Sequence, residues 1–176
     1  MAESPTNDKG ASSNAAGAAD GAPGADPRQF GLRQLYVKDL SFEAPNSPAI
    51  LSERGLEPEI KLNLRTSHRD LGDGISEVVL HASVHALAGQ RTVFLIELEQ
   101  AGTFLISGFP PEEARAIIGI SCPNALFPYA RETISSTVQR GGFAQVLLQP
   151  IDFAALVAQG QARASRPTGE SPAAKA

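Results

Sequence analysis

Residues 121–142 read SCPNALFPYARETISSTVQRGG and hold the chain's single cysteine. A Pro-Asn pair opens the stretch and a double glycine closes it. Between them, Phe127, Arg131, Ile134 and Val138 recur three or four residues apart, with Ala130 beside them, so one side of a helix collects them. Ser135, Ser136, Gln139 and Arg140 fall largely on other sides. Gly141 and Gly142 offer the left-handed residue that commonly ends a helix. The spacing predicts a long amphipathic helix, and a helix of that kind needs an apolar partner.

The partner lies upstream. FGLRQLYVKDLSFE, residues 30–43, is rich in strand formers, but its apolar side chains change phase: Phe30 and Leu32, then Leu35 and Val37, then Leu40 and Phe42. A strand with one or two bulges, or a strand crossing between two contact surfaces, is expected. APNSPAILSERGLEP, residues 44–58, is too long for a hairpin and too rich in proline for a strand; long loops in compact domains are often functional. Ile50, Leu51 and Leu56 are unusual in a loop that merely faces water. Residues 59–66 alternate, with Ile60, Leu62 and Leu64 on one face and Lys61, Asn63 and Arg65 on the other. SHRDLGDG reads as a polar link to a strand at about 75–87, in which Val78, Leu80, Ala82, Val84 and Ala86 share a face. After a turn at Ala88-Gly89-Gln90, residues 91–100 return with Phe94, Ile96 and Leu98 one way and Val93, Leu95, Glu97 and Glu99 the other. A last extended piece is expected at 103–107.

Two further helices are expected. FPPEEARAII (109–118) has proline at its start and glutamates in its first turn, and Asp152 suits the N-cap of a C-terminal helix presenting Phe153, Leu156 and Val157. Strands followed by helices give an α+β fold: a four-stranded antiparallel sheet with helices on one face. The apolar surface exceeds what one sheet and one helix layer would enclose. A surplus of ~800 Å2 corresponds to roughly 20 kcal/mol of transfer energy before association costs, so a homo-oligomer, a standing apolar groove, or both are expected.

Residues 1–27 and 160–176 are dominated by small and polar types and are expected to be disordered tails, leaving 28–159 as the folded domain. The net charge of −4 has no basic block, which argues against nucleic-acid binding and against an anionic membrane surface. The polar opening does not fit a secretory signal, so a cytoplasmic location without membrane insertion is expected. No phosphate loop or nucleophile elbow is present, and neither enzyme activity nor a cofactor is expected. His81 and His85 share a strand face, but ~13 Å of strand separates them, too far for one metal ion. Cys122 has no histidine near it in sequence and reads as a packed residue. Asp39, Glu43, Glu97 and Glu99 read as a solvated acidic face, a basic partner's dock, or a carboxylate pair.

Three blocks resemble the SecB family of bacterial export chaperones: YVKDLSFEAPN (36–46), CPNALFPYARE (122–132), and GGF through PIDF (141–153). The likeness spans about residues 30–158. It implies a dimer of dimers with the long helices between dimers, and Phe127, Arg131, Ile134 and Val138 are expected at the oligomer interface, the first and last two also packing the sheet. It implies binding of unfolded precursor polypeptides without ATP, and their delivery to the SecA motor. Client-groove positions then fall on Leu56, Ile60, Leu62 and Leu64, with Leu56 where the family commonly has tryptophan. SecA-binding positions fall on Asp39, Glu43, Leu95 and Glu97. A related chaperone dedicated to one partner, such as an antitoxin, is the alternative, and the intact acidic positions favour export.

Overall fold

The computed structural model describes residues 27–164. Strands β1 (Gln29–Glu43), β2 (Glu59–Gly72), β3 (Ile75–Ala88) and β4 (Arg91–Ser107) form one antiparallel sheet in the order β1-β4-β3-β2. The first two strands therefore occupy opposite edges. The loop between them crosses three strand spacings, ~14 Å, which accounts for its length. Its Ala49–Ser52 turn drops Ile50 into the core at 1% exposure. Asn46 Nδ2 donates to Thr92 O at 2.8 Å, and Arg91 grips both Glu53 oxygens at 2.6 and 2.8 Å.

Both phase changes of β1 are bulges. Register shifts lie between Leu32 and Gln34 and between Val37 and Asp39, so Arg33 and Lys38 are the extra residues. Each bulge returns the next apolar residues to the inner face.

Elsewhere the boundaries move. The polar segment 67–72 is strand, because β2 runs on to Gly72 and the link contracts to Asp73-Gly74. Both turn residues have positive φ, 52° and 70°, as a tight hairpin matched to sheet twist requires. β4 continues unbroken to Ser107, and a register shift between Ala86 and Leu87 accompanies burial of Val93, which alternation had placed outward.

The helical half departs more. Helices α1 (Pro111–Ala116) and α2 (Cys122–Arg140) are joined by a wide π-type turn, Ile117–Ser121, with no break. Cys122 N–H reaches back to Ile117 O. Pro123 has no N–H for the carbonyl four residues earlier, and its ring would crowd that carbonyl. The Pro-Asn pair thus widens a continuing helix and does not start a new one. At the other end, Gly142 N–H bonds Gln139 O and Phe143 N–H bonds Val138 O, with Gly142 at φ 87°. This double bond pattern closes the helix, and the left-handed residue is Gly142 alone. Gly141 serves another end: a Cβ there would collide with the Phe42 ring.

Helix α2 lies over β3 and β4. Leu126, Phe127, Ala130, Ile134 and Val138 meet Leu80, Val84, Ile96 and Leu98 in one core. Helix α3 runs Phe153–Ala164, so residues 160–164 of the expected tail are helical; 1–26 and 165–176 lie outside the described residues. Asp152 caps it, its Oδ1 accepting from Ala155 N at 3.0 Å.

Candidate functional site

The inner face of β2 is only partly roofed. Ile60, Leu62 and Leu64 are half-buried, stand opposite Ala86, Val84 and Ala82, and form the apolar floor of a trough along the sheet edge that opens into a hollow at either end. At the α3 end the trough deepens to about 360 Å3, with Leu64 facing Ile118, Phe153, Leu156 and Val157. His68 and Arg115 stand at its rim. At the loop end a second hollow of about 170 Å3 includes Leu56, Leu51, Phe94 and Phe143. The four residues assigned to the groove are therefore distributed along one run: Leu56 in one hollow, Leu64 in the other, Ile60 and Leu62 between. Of the three α3 residues expected to cover the sheet, Phe153 is fully buried and Val157 half-buried, while Leu156 is 42% exposed and available to a ligand.

The outer face sorts its charge by strand. Glu43 pairs with Leu95, Ser41 with Glu97 and Asp39 with Glu99; across β4 these meet His85, Ser83 and His81, and beyond them Lys61, Asn63 and Arg65. At these registers the β1–β4 half is acidic and the β3–β2 half carries the histidines and cations. Asp39, Glu43, Leu95 and Glu97 do come together, Leu95 half-buried and the three acids exposed. Among the described residues these three acids have no cationic partner, whereas Glu99 has His81 Nδ1 at 3.2 Å. Ser83 Oγ donates to Glu97 at 2.8 Å, and Ser67 Oγ lies 2.8 Å from His81 Nε2. His81 and His85 are thus engaged with separate partners, His85 Nε2 lying 3.2 Å from Thr92 Oγ1.

Farther along this face lies a cluster that sequence reading missed. Glu77 is buried beside Val79 and Ala101, its carboxylate accepting from the Tyr36 hydroxyl and from Lys38 Nζ at 2.9 and 3.0 Å. Arg69 closes the other side at 3.3 Å. Hydrogen bonds from Tyr36 and then Lys38 hold the Glu77 carboxyl below its ordinary range despite burial. Burial, reinforced by Glu77, pushes the Tyr36 hydroxyl up to about 12. Nothing in the alternation of β3 distinguishes Glu77 from a solvated strand residue, so only its cross-strand partners reveal it.

Of the expected interface residues, Phe127, Ile134 and Val138 are buried in the chain's own core, at 6%, 0% and 0%. They cannot present an assembly surface, because α2 spends that stripe on the sheet. Arg131 alone of the four is half-exposed. The uncovered apolar surface is elsewhere: Phe30, Leu32, Val37 and Leu40 on the inner side of β1, exposed by 40–46%, and Tyr129 on α2. Cys122 is buried, which pushes its thiol up to about 12 and withdraws it from nucleophilic chemistry. Among the described residues no three His, Cys, Asp or Glu side chains are grouped to hold a metal ion, and no helix is long and apolar enough to cross a membrane.

A four-stranded antiparallel sheet with helices over one face, an apolar trough along one edge and acids on the other face defines an α+β protein built around an open sheet edge. The comparisons agree. A model of the SecB family, described as preprotein translocase subunit SecB, matches residues 24–164. The chain is 48% identical over 130 residues to the protein-export protein SecB of Dechloromonas aromatica, covering 74% of this chain and 85% of that one. It is 47% identical over 132 residues to that of Methylococcus capsulatus, covering 75% and 84%. The chain belongs to the SecB family, and it is a chaperone of protein export. A SecB-like chaperone of Mycobacterium tuberculosis, solved with a peptide from an antitoxin, superposes with a TM-score of 0.60 at 16% identity over 69% of this chain and 90% of its own. That likeness is one of fold.

Proposed function

We propose that this chain is an ATP-independent holdase that keeps unfolded precursor polypeptides competent for translocation and delivers them to SecA. The carrying observation is the apolar run from the loop hollow through Ile60 and Leu62 to the α3 hollow. An unfolded chain exposes continuous apolar surface; a shallow trough walled by several elements accepts many sequences without shape selection. Leu56 supplies an aliphatic contact where the family commonly has an aromatic one. SecA docks on Asp39, Glu43, Leu95 and Glu97, three exposed carboxylates that have no cationic partner among the described residues and that flank one apolar side chain, through a basic surface of its own. The attraction is exposed and weakens with salt. Two or more copies cover the apolar side of β1, and a dimer of dimers presents several linked troughs to one client, so that weak contacts add through effective concentration. Relatives at 44–48% identity are export proteins, which favours export over a dedicated antitoxin partner.

The test joins native mass with client capture. A tetramer that suppresses aggregation of an unfolded precursor at stoichiometric amounts without ATP is expected; no suppression overturns the holdase reading. Asp39→Lys with Glu97→Lys should weaken SecA binding at low salt and leave client capture unchanged. Unaltered SecA affinity in that variant would remove the docking face from the proposal.

A further inference from the structure

The bulge that turns Asp39 and Glu43 outward also inserts a cation directly beside them. Lys38 is the extra residue between Val37 and Asp39, and its ammonium has two carboxylates to choose from, Asp39 next in sequence and Glu77 on β3. It takes both oxygens of Glu77. The lysine stem and the Tyr36 ring reach β3 across β4 at Ala101, where a larger side chain would block them; Ala101 and Val79 beneath are dry, at 0% and 5% exposure. Tyr36, Lys38 and Arg69 thus converge from β1 and β2 on one buried carboxylate.

We infer that Glu77 is a positioning residue for the acidic docking face: it draws the Lys38 ammonium away from Asp39, so that Asp39, Glu43 and Glu97 meet a basic partner with their charge undiluted. The inference rests on the docking reading above. A free lysine at the bulge would sit within one residue of Asp39, well inside the ~10 Å over which charges act at ordinary salt. Arg69 would also be released by loss of Glu77, but it lies on β2, three strand spacings (~14 Å) from β1, and counts for less.

The experiment is titration of SecA onto the intact oligomer, at low and at high salt, for Glu77→Gln, Lys38→Gln and the double variant. Glu77→Gln should bind SecA about three- to tenfold more weakly at low salt, with the deficit shrinking as salt rises. Lys38→Gln alone should bind at least as tightly as the parent. The double variant should recover to within about twofold of the parent, because the cation that Glu77 restrained is gone. A purely structural role for Glu77 predicts no recovery, and a double variant as weak as Glu77→Gln overturns the inference. Unchanged affinity in Glu77→Gln also overturns it, provided Asp39→Lys with Glu97→Lys weakens binding. If that charge reversal has no effect either, the docking reading has failed with it. Client capture serves as the control for folding in every variant, since Glu77 lies on the opposite side of the sheet from the trough.

Discussion

Replacing Ile50 by alanine should detach the crossover loop before it unfolds the protein. Ile50 is the loop's one fully buried side chain, and it sits among the residues of the main core. The substitution removes three carbons, about 2.4 kcal/mol of transfer energy at ~0.8 per methylene, and the space left under the loop raises the cost to about 3 kcal/mol. The remaining ties, Asn46 to Thr92 and Glu53 to Arg91, are exposed and cannot replace it. Because the loop carries few buried contacts of its own, most of this loss should appear as local opening. Three amides report it: Ile50 N–H to Asn46 O, Leu51 N–H to Pro48 O, and Glu53 N–H to Ile50 O. Their hydrogen exchange should accelerate roughly 100-fold, while amides in β3 and β4 change far less. Client capture should weaken in step, since Leu56 and Leu51 lose their backing. Loop amides exchanging within a factor of about three of the parent, with full client capture, would refute the anchoring role assigned to Ile50.

Three more perturbations bear on the core and the outer face. Ile134→Asp places a carboxylate in a site of 0% exposure, so the single chain should fail to fold, seen as loss of the cooperative denaturant transition; a folded, stable monomer would restore Ile134 to the assembly surface. Cys122 should resist thiol reagents at pH 8 in the native protein and react on unfolding, because burial holds its ionisation near 12. Glu77 has its folded pKa depressed, so its contribution to stability is complete above the ordinary carboxylate range and is lost as pH falls through the folded value. Glu77→Gln should therefore be less stable than the parent at neutral pH, with the two denaturant midpoints converging in acid; a constant gap across that range would contradict the assigned hydrogen bonding.

Those perturbations follow from a structure that was only partly legible beforehand. The two bulges of β1 could be read because each switches the parity of an apolar series, and a buried face tolerates only one parity. Asp152 could be read because an N-cap is a local event, settled by one side chain and the next turn. The second half of β2 could not: from Ser67 to Gly72 both sides are exposed, so no alternation survives to mark a strand. The join of α1 to α2 was hidden because proline is read as a boundary, whereas here a widened turn accommodates Pro123. Alternation was enough to put Ile60, Leu62 and Leu64 on the inner face and Leu95 and Glu97 on the outer one. It was not enough for the α2 stripe, since periodicity identifies an apolar side but not whether a sheet or a second chain will cover it.

The strand order carries a consequence for synthesis. β2, β3 and β4 are consecutive hairpins and can pair as they emerge, but β1 has no partner until β4 has been made. At ~5–20 residues per second, the interval from Glu43 to Ser107 lasts roughly 3–13 s. Throughout it Phe30, Leu32, Leu35, Leu40 and Phe42 have no face to cover. For those seconds each newly made copy is itself an incompletely folded chain with an exposed apolar segment.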